Sequence, residues 1–162
     1  MHSLSRNAVL ALIGVTLVLH TAEEYLTFPG FLMSASRMPR WLPPPSLLHS
    51  SQDLRVALVF ATALPLAIIA WAILRPRKGL LISVLLLEAI LLVNAVWHIL
   101  ASLVRGGYAP GVITAVFINL PFGVYVLRRA VTLQWIRART AWQLIGIALV
   151  LHIVSLGRLL AG

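Results

Sequence analysis

The chain has 162 residues, of which 60% are hydrophobic and 10% charged. A soluble domain carries roughly 25% charged residues, so lipid is the expected solvent. The formal charge of +9, from 13 Lys+Arg against 4 Asp+Glu, does not point to nucleic acid. The basic residues fall in short clusters between apolar runs, as in membrane loops, and no aromatic and basic platform accompanies them. With no cysteine in the chain, disulfides, thiolate metal sites and a cysteine nucleophile are excluded.

Five segments reach the roughly 20 apolar residues that a membrane span needs, at about 7–26, 54–74, 80–104, 112–130 and 141–160. The first follows Arg6 but lacks a small-x-small cleavage site, so it reads as a retained helix and not a leader. Residues 27–53 follow it. With Pro29, Pro39, Pro43, Pro44 and Pro45 among Phe28, Phe31 and Trp41, they read as an interfacial loop that would serve as a lid or as a plain external linker. Ser50 and Asp53 resemble a capping box opening the second helix. Arg75, Pro76, Arg77 and Lys78 close that helix, and Gly79 opens the third. Gly106-Gly107 stops the third, and Pro110-Gly111 precedes the fourth, where Asn119 and Pro121 mark a local kink. The predicted fold is a single all-α domain over residues 1–162, a five-helix transmembrane bundle.

Basic residues set the expected orientation. An inside N-terminus leaves eight on the cytoplasmic side (Arg6, Arg75, Arg77, Lys78, Arg128, Arg129, Arg137, Arg139) and five outside (Arg37, Arg40, Arg55, Arg105, Arg158). The bias predicts the N-terminus inside and the C-terminus outside.

Ionisable groups inside a span cost about 2.5–3.5 kcal/mol on insertion scales and face the bundle interior. Here they are His20, Glu23, Glu24, Glu88, His98 and His152, with Asn94 and Asn119 as uncharged companions. In the predicted orientation most of them share the outer half of the bilayer, Asn119 about 12 Å in at ~1.5 Å per residue. Glu23 and Glu24 are i+3 and i+4 from His20, and Asn94 and His98 are i, i+4, so each set shares a helix face. Three carboxylates cannot all be charged in a dry pocket without a metal, a proton or an arginine such as Arg55 or Arg105 beside them.

The pattern resembles the HXXEE family of small bacterial integral membrane proteins. His20-Thr21-Ala22-Glu23-Glu24 is the name-giving motif, and Asn94-Ala95-Val96-Trp97-His98 and Tyr108-Ala109-Pro110-Gly111 are two further ones, in order. The resemblance implies a membrane protein of the bacterial cytoplasmic membrane with no assigned function, and suggests an embedded enzyme. It does not reach Glu88, Asn119 or His152, which enter from depth and spacing alone. An intramembrane protease of the CAAX type would have an arginine where Phe28 stands, and HExxH is absent.

The expected function is a membrane-embedded enzyme with a His/Glu pocket, acting on a lipidic or amphipathic small molecule among membrane lipids. In its metal-dependent form Zn or Fe is held by a set drawn from His20, Glu24, Glu88, His98 and His152. Catalytic candidates are Glu23, Glu24, Glu88, Asn94, Tyr108 and Asn119. The alternatives are a metal-free acid–base isomerase or cyclase, and a small-molecule or proton-coupled transporter. No nucleic-acid partner is expected, and oligomeric state stays open.

Overall fold

The computed structural model describes residues 4–33 and 51–161. Among them there is no strand, and five helices are long and apolar enough to cross a membrane. They are α1 (Arg6–Met33), α2 (Ser51–Leu74), α3 (Lys78–Arg105), α4 (Val112–Thr132) and α5 (Ala138–Ala161). The all-α reading and the count of spans are thus borne out.

The helix bounds differ from the predicted ones chiefly at α1. It continues past residue 26 through Pro29 to Met33, so the first part of the expected loop is helical. Proline removes one N–H and crowds the carbonyl four residues back, which bends a helix more readily than it ends one where neighbours or lipid favour the helical state. The hydroxyl of Thr27 reinforces this turn by donating to the Glu23 carbonyl at 2.7 Å. The last residues of the expected loop belong to α2, which starts at Ser51 and passes through Pro65 unbroken. Residues 34–50, with most of the prolines and Ser50, lie outside the described residues, so the lid and capping-box expectations fall there.

Helix α3 is central and touches each of the other four, while α2 packs on α1 and α3. The buried stripe of α1 runs Val9, Ile13, Leu17 and then His20, a spacing of three to four that keeps one face inward. Its apolar members share one buried cluster with Val84, Leu85 and Ala89 of α3 and Val126 and Ala130 of α4. On α2 the large apolar side chains Phe60, Leu64, Trp71 and Leu74 are exposed, as a lipid-facing helix requires.

Two local features set up the site. Gly106 ends α3 in the left-handed region (φ 65), its N–H bonded to the Leu103 carbonyl and that of Gly107 to the Ser102 carbonyl. This is the glycine-dependent helix stop anticipated there. Inside α4, residues Ala115–Asn119 form a π turn in which Leu120 N–H reaches the Ala115 carbonyl. Pro121 next to it has no N–H to give, and the wider turn accommodates its ring, so a π turn stands at the position where Asn119 and Pro121 mark an expected kink. With the turn in place, Ala115, Asn119, Gly123, Val126 and Ala130 of α4 are all buried.

Candidate functional site

The site lies where the second half of α1, the Tyr108–Gly111 turn, the start of α4 and the second half of α3 meet. Glu23 and Glu24, adjacent in the chain, have different surroundings. Glu23 turns toward α4. Its Oε1 accepts from the Tyr108 hydroxyl (2.7 Å) and the Ile113 N–H (3.1 Å), and its Oε2 from the Thr114 N–H (2.7 Å) and hydroxyl (2.6 Å). The first N–H groups of a helix have no partner within it and favour negative charge. Glu23 therefore caps α4 from a different helix, where Gly111 at the cap position has no side chain to do so.

Thr114 carries the arrangement inward. Its hydroxyl has two acceptors, the Glu23 carboxylate at 2.6 Å and the Gly111 carbonyl at 3.2 Å; with its one proton given to either, its oxygen is left to accept from Nδ1–H of His20 at 2.8 Å. A neutral imidazole protonated at Nδ1 presents its Nε2 lone pair. That nitrogen accepts from the Asn94 amide Nδ2–H at 2.9 Å, and the second Asn94 N–H goes to His98 Nε2 at 3.0 Å. The chain of bonds from Glu23 thus fixes which way the Asn94 amide points.

Glu24 faces this same centre. Its Oε1 is 3.1 Å from His98 Nε2 and 3.7 Å from His20 Nε2. The two rings meet edge-on with centroids 4.9 Å apart. His20 is 2% exposed, His98 12% and Glu24 16%. One ligand atom from each lies within 4.8 Å of the others. Ligands bound at about 2.0–2.1 Å around a tetrahedral Zn²⁺ sit roughly 3.3 Å apart, a value that these two nitrogen–oxygen distances bracket.

Gly111 closes the site. Its φ is +82, and a Cβ there would stand 2.7 Å from His20 Cε1, 3.1 Å from His98 Cε1 and 3.2 Å from Glu24 Cγ. The Tyr-x-Pro-Gly turn therefore supplies a Tyr108 hydroxyl to Glu23 and a bare backbone against both imidazoles. Partial burial, with the Glu23 carboxylate beside it, holds the Tyr108 phenol above its ordinary range against the opposing pull of Thr27.

Of the residues singled out in the sequence, His20, Glu23, Glu24, Asn94, His98 and Tyr108 are brought together. Glu88 lies deeper between α3 and α4, its Oε1 3.1 Å from where a Gly123 Cβ would be. Glu88 Oε2 and both amide atoms of Asn119 have no hydrogen-bond partner among the described residues. His152 packs on Trp97, ring centroids 5.9 Å apart, and is not among the converging ligand atoms. Sequence reasoning missed Thr114, which reads as an ordinary threonine of an apolar span. Its one signal is its place in the first turn of a helix preceded by Gly111, where an outside carboxylate can reach.

A cavity of about 180 Å³ adjoins the site between α1, α2 and α3. A larger one of about 750 Å³ lies at the opposite end of the bundle, where Lys78 and Arg137 line it without any acidic or histidine group.

No curated protein and no solved structure matches the chain. A family described as proteins of unknown function with an HXXEE motif matches residues 11–126. That stretch takes in all of the site and excludes His152. With its HXXEE triad on α1 and well over half its length matched, the chain belongs to the HXXEE family.

Proposed function

We propose that the protein is a membrane-embedded enzyme whose His20, Glu24 and His98 hold a divalent transition metal, Zn²⁺ or Fe²⁺, and act on an amphipathic small molecule. One observation carries this reading. Glu24 Oε1 and the Nε2 atoms of His20 and His98 face one another as three electron-pair donors, with the His20 proton held on its far nitrogen by Thr114. The Asn94 amide donates to both Nε2 lone pairs, and a cation would take its place, since two imidazoles with a carboxylate suit zinc and non-haem iron. Glu23, its lone pairs occupied by four donors, acts as a positioning residue: through Thr114 it sets the His20 tautomer, the second-layer role that carboxylates play behind metal-bound histidines. A bound ion would supply a Lewis acid or an activated water, and Asn94 would orient what binds beside it.

Elemental analysis of protein purified without chelator and reloaded with Zn²⁺ or Fe²⁺ tests the reading. About one ion per chain is expected, lost in His98→Ala and bound about 10–100-fold more weakly in Thr114→Val, which keeps the ligands but frees the tautomer. A folded protein that takes up no metal overturns it. In that event the 3.1 Å contact of Glu24 with His98 supports the second reading, a proton shared between carboxylate and imidazole for acid–base isomerisation or cyclisation.

A further inference from the structure

We infer that the 180 Å³ cavity beside the site is its tail pocket: it takes the apolar end of an amphipathic molecule, a chain or small ring of six to eight carbons, whose polar head lies at His20, Glu24 and His98. The inference rests on the site reading above only for where the head lies.

The cavity is graded in polarity. His20, Glu24 and Asn94 form one end, and the walls beyond are Ile13 and Leu17 of α1, Leu58 and Pro65 of α2, and Leu87 and Ile90 of α3. Thr21 also touches it, with its hydroxyl engaged by Thr62 of α2 at 3.0 Å. From His20 back to Ile13, and from Asn94 back to Leu87, the walls cover seven residues of helix, about 10 Å at ~1.5 Å per residue. Empty apolar cavities of about 150 Å³ accept a benzene-sized guest, so this one has room for roughly six to eight carbons. A guest shorter than this would leave the deep end unfilled, and a uniformly polar guest would strand its donors and acceptors against isoleucine and leucine. A guest with its polar group at one end meets both demands. The outer face of α2 carries exposed large apolar side chains, so the cavity lies one helix in from the face that lipid would cover.

The test uses the full-length protein in lipid nanodiscs and two independent measurements. In the first, an octanoic acid bearing an alkyl diazirine near its methyl end is photo-activated and the labelled residues are mapped by mass spectrometry. Labelling is expected at Leu58, Leu87 and Ile90, competed by octanoate but not by acetate. It should fall about tenfold, the effect of roughly 1.4 kcal/mol of lost binding, when Ala61→Phe or Ile90→Trp fills the space. In the second, Co²⁺ absorption reports metal at His20 and His98 and shows that each filled variant is still folded around its site. Label confined to lipid-facing residues such as Phe60 and Leu64, and indifferent to both variants while Co²⁺ binds normally, overturns the tail pocket. Competed labelling of the cavity in protein that binds no Co²⁺ leaves the tail pocket standing and removes the metal.

Discussion

At the scale of single residues, the site depends on a glycine as much as on its ionisable groups. Gly111 combines a positive φ with an approach to His20 that leaves no room for a methyl group. Gly111→Ala is expected to cost at least about 2 kcal/mol, from the left-handed backbone and the displaced ring together. Metal binding should fall with stability, and a variant with an unchanged thermal midpoint and full metal content would contradict the arrangement. Tyr108 makes a second prediction. Its phenol is raised above the ordinary value, so its bond to Glu23 is fully present below the unfolded pKa of about 10 and is lost as pH rises through the higher folded value. Tyr108→Phe should lower stability by about 1 kcal/mol. In a pH series the gap between wild type and variant should stay constant between about pH 6 and 9 and close above about 10; a gap that persists undiminished at the most alkaline pH would refute the assignment. The chemistry of these positions was legible in the sequence as far as residue type and helical spacing go. Thr114 was not, because its role comes from Glu23 and His20, more than ninety positions away.

At the scale of elements, α4 and α3 decide what the polar residues can reach. The π turn in α4 ends at Asn119, which shares the buried face with Gly123, and Gly123 lets α3 come close enough to bury Glu88 to 1% exposure. A carboxyl with no hydrogen-bond partner in an apolar interface is destabilising. Glu88→Leu, of similar length and without the polar atoms, should therefore raise stability by about 1–3 kcal/mol, read as a higher thermal midpoint in detergent. A fall in the midpoint would mean that Glu88 has a partner, such as an internal water, which the packing of α3 on α4 does not reveal. The sequence located Glu88 and Asn119 as buried polar groups, yet depth along a helix carries no information about rotation once a π turn intervenes. Helix ends were legible wherever glycine or a basic cluster set them, as at Gly106 and Arg75–Lys78. The end of α1 was not, because a proline inside an apolar span does not by itself end a helix.

At the scale of the whole molecule, five crossings would put the start of α1 and the end of α5 on opposite sides of a bilayer, and the distribution of arginines predicts which is which. The native chain has no cysteine, so single introduced ones report directly. Pro76→Cys, at the end shared with Arg75 and Lys78, should be shielded from a membrane-impermeant maleimide added outside cells. Gly107→Cys, in the turn beside the site, should react. The reverse pattern would place the site at the cytoplasmic face. Either result leaves the geometry of the site intact, because the bundle packs the same way whichever leaflet faces out.

The sequence by itself determined the solvent, the number of helices and the residue types that could do chemistry. Those follow from apolar run length and from the cost of burying charge, which are local properties of the chain. Only the tertiary structure decided that the adjacent glutamates divide their roles: one caps α4 and, through Thr114, orients His20, while the other faces both imidazoles. That division needs three helices and a turn to converge within a few ångströms, and side-chain partners so far apart in sequence leave no mark on local periodicity.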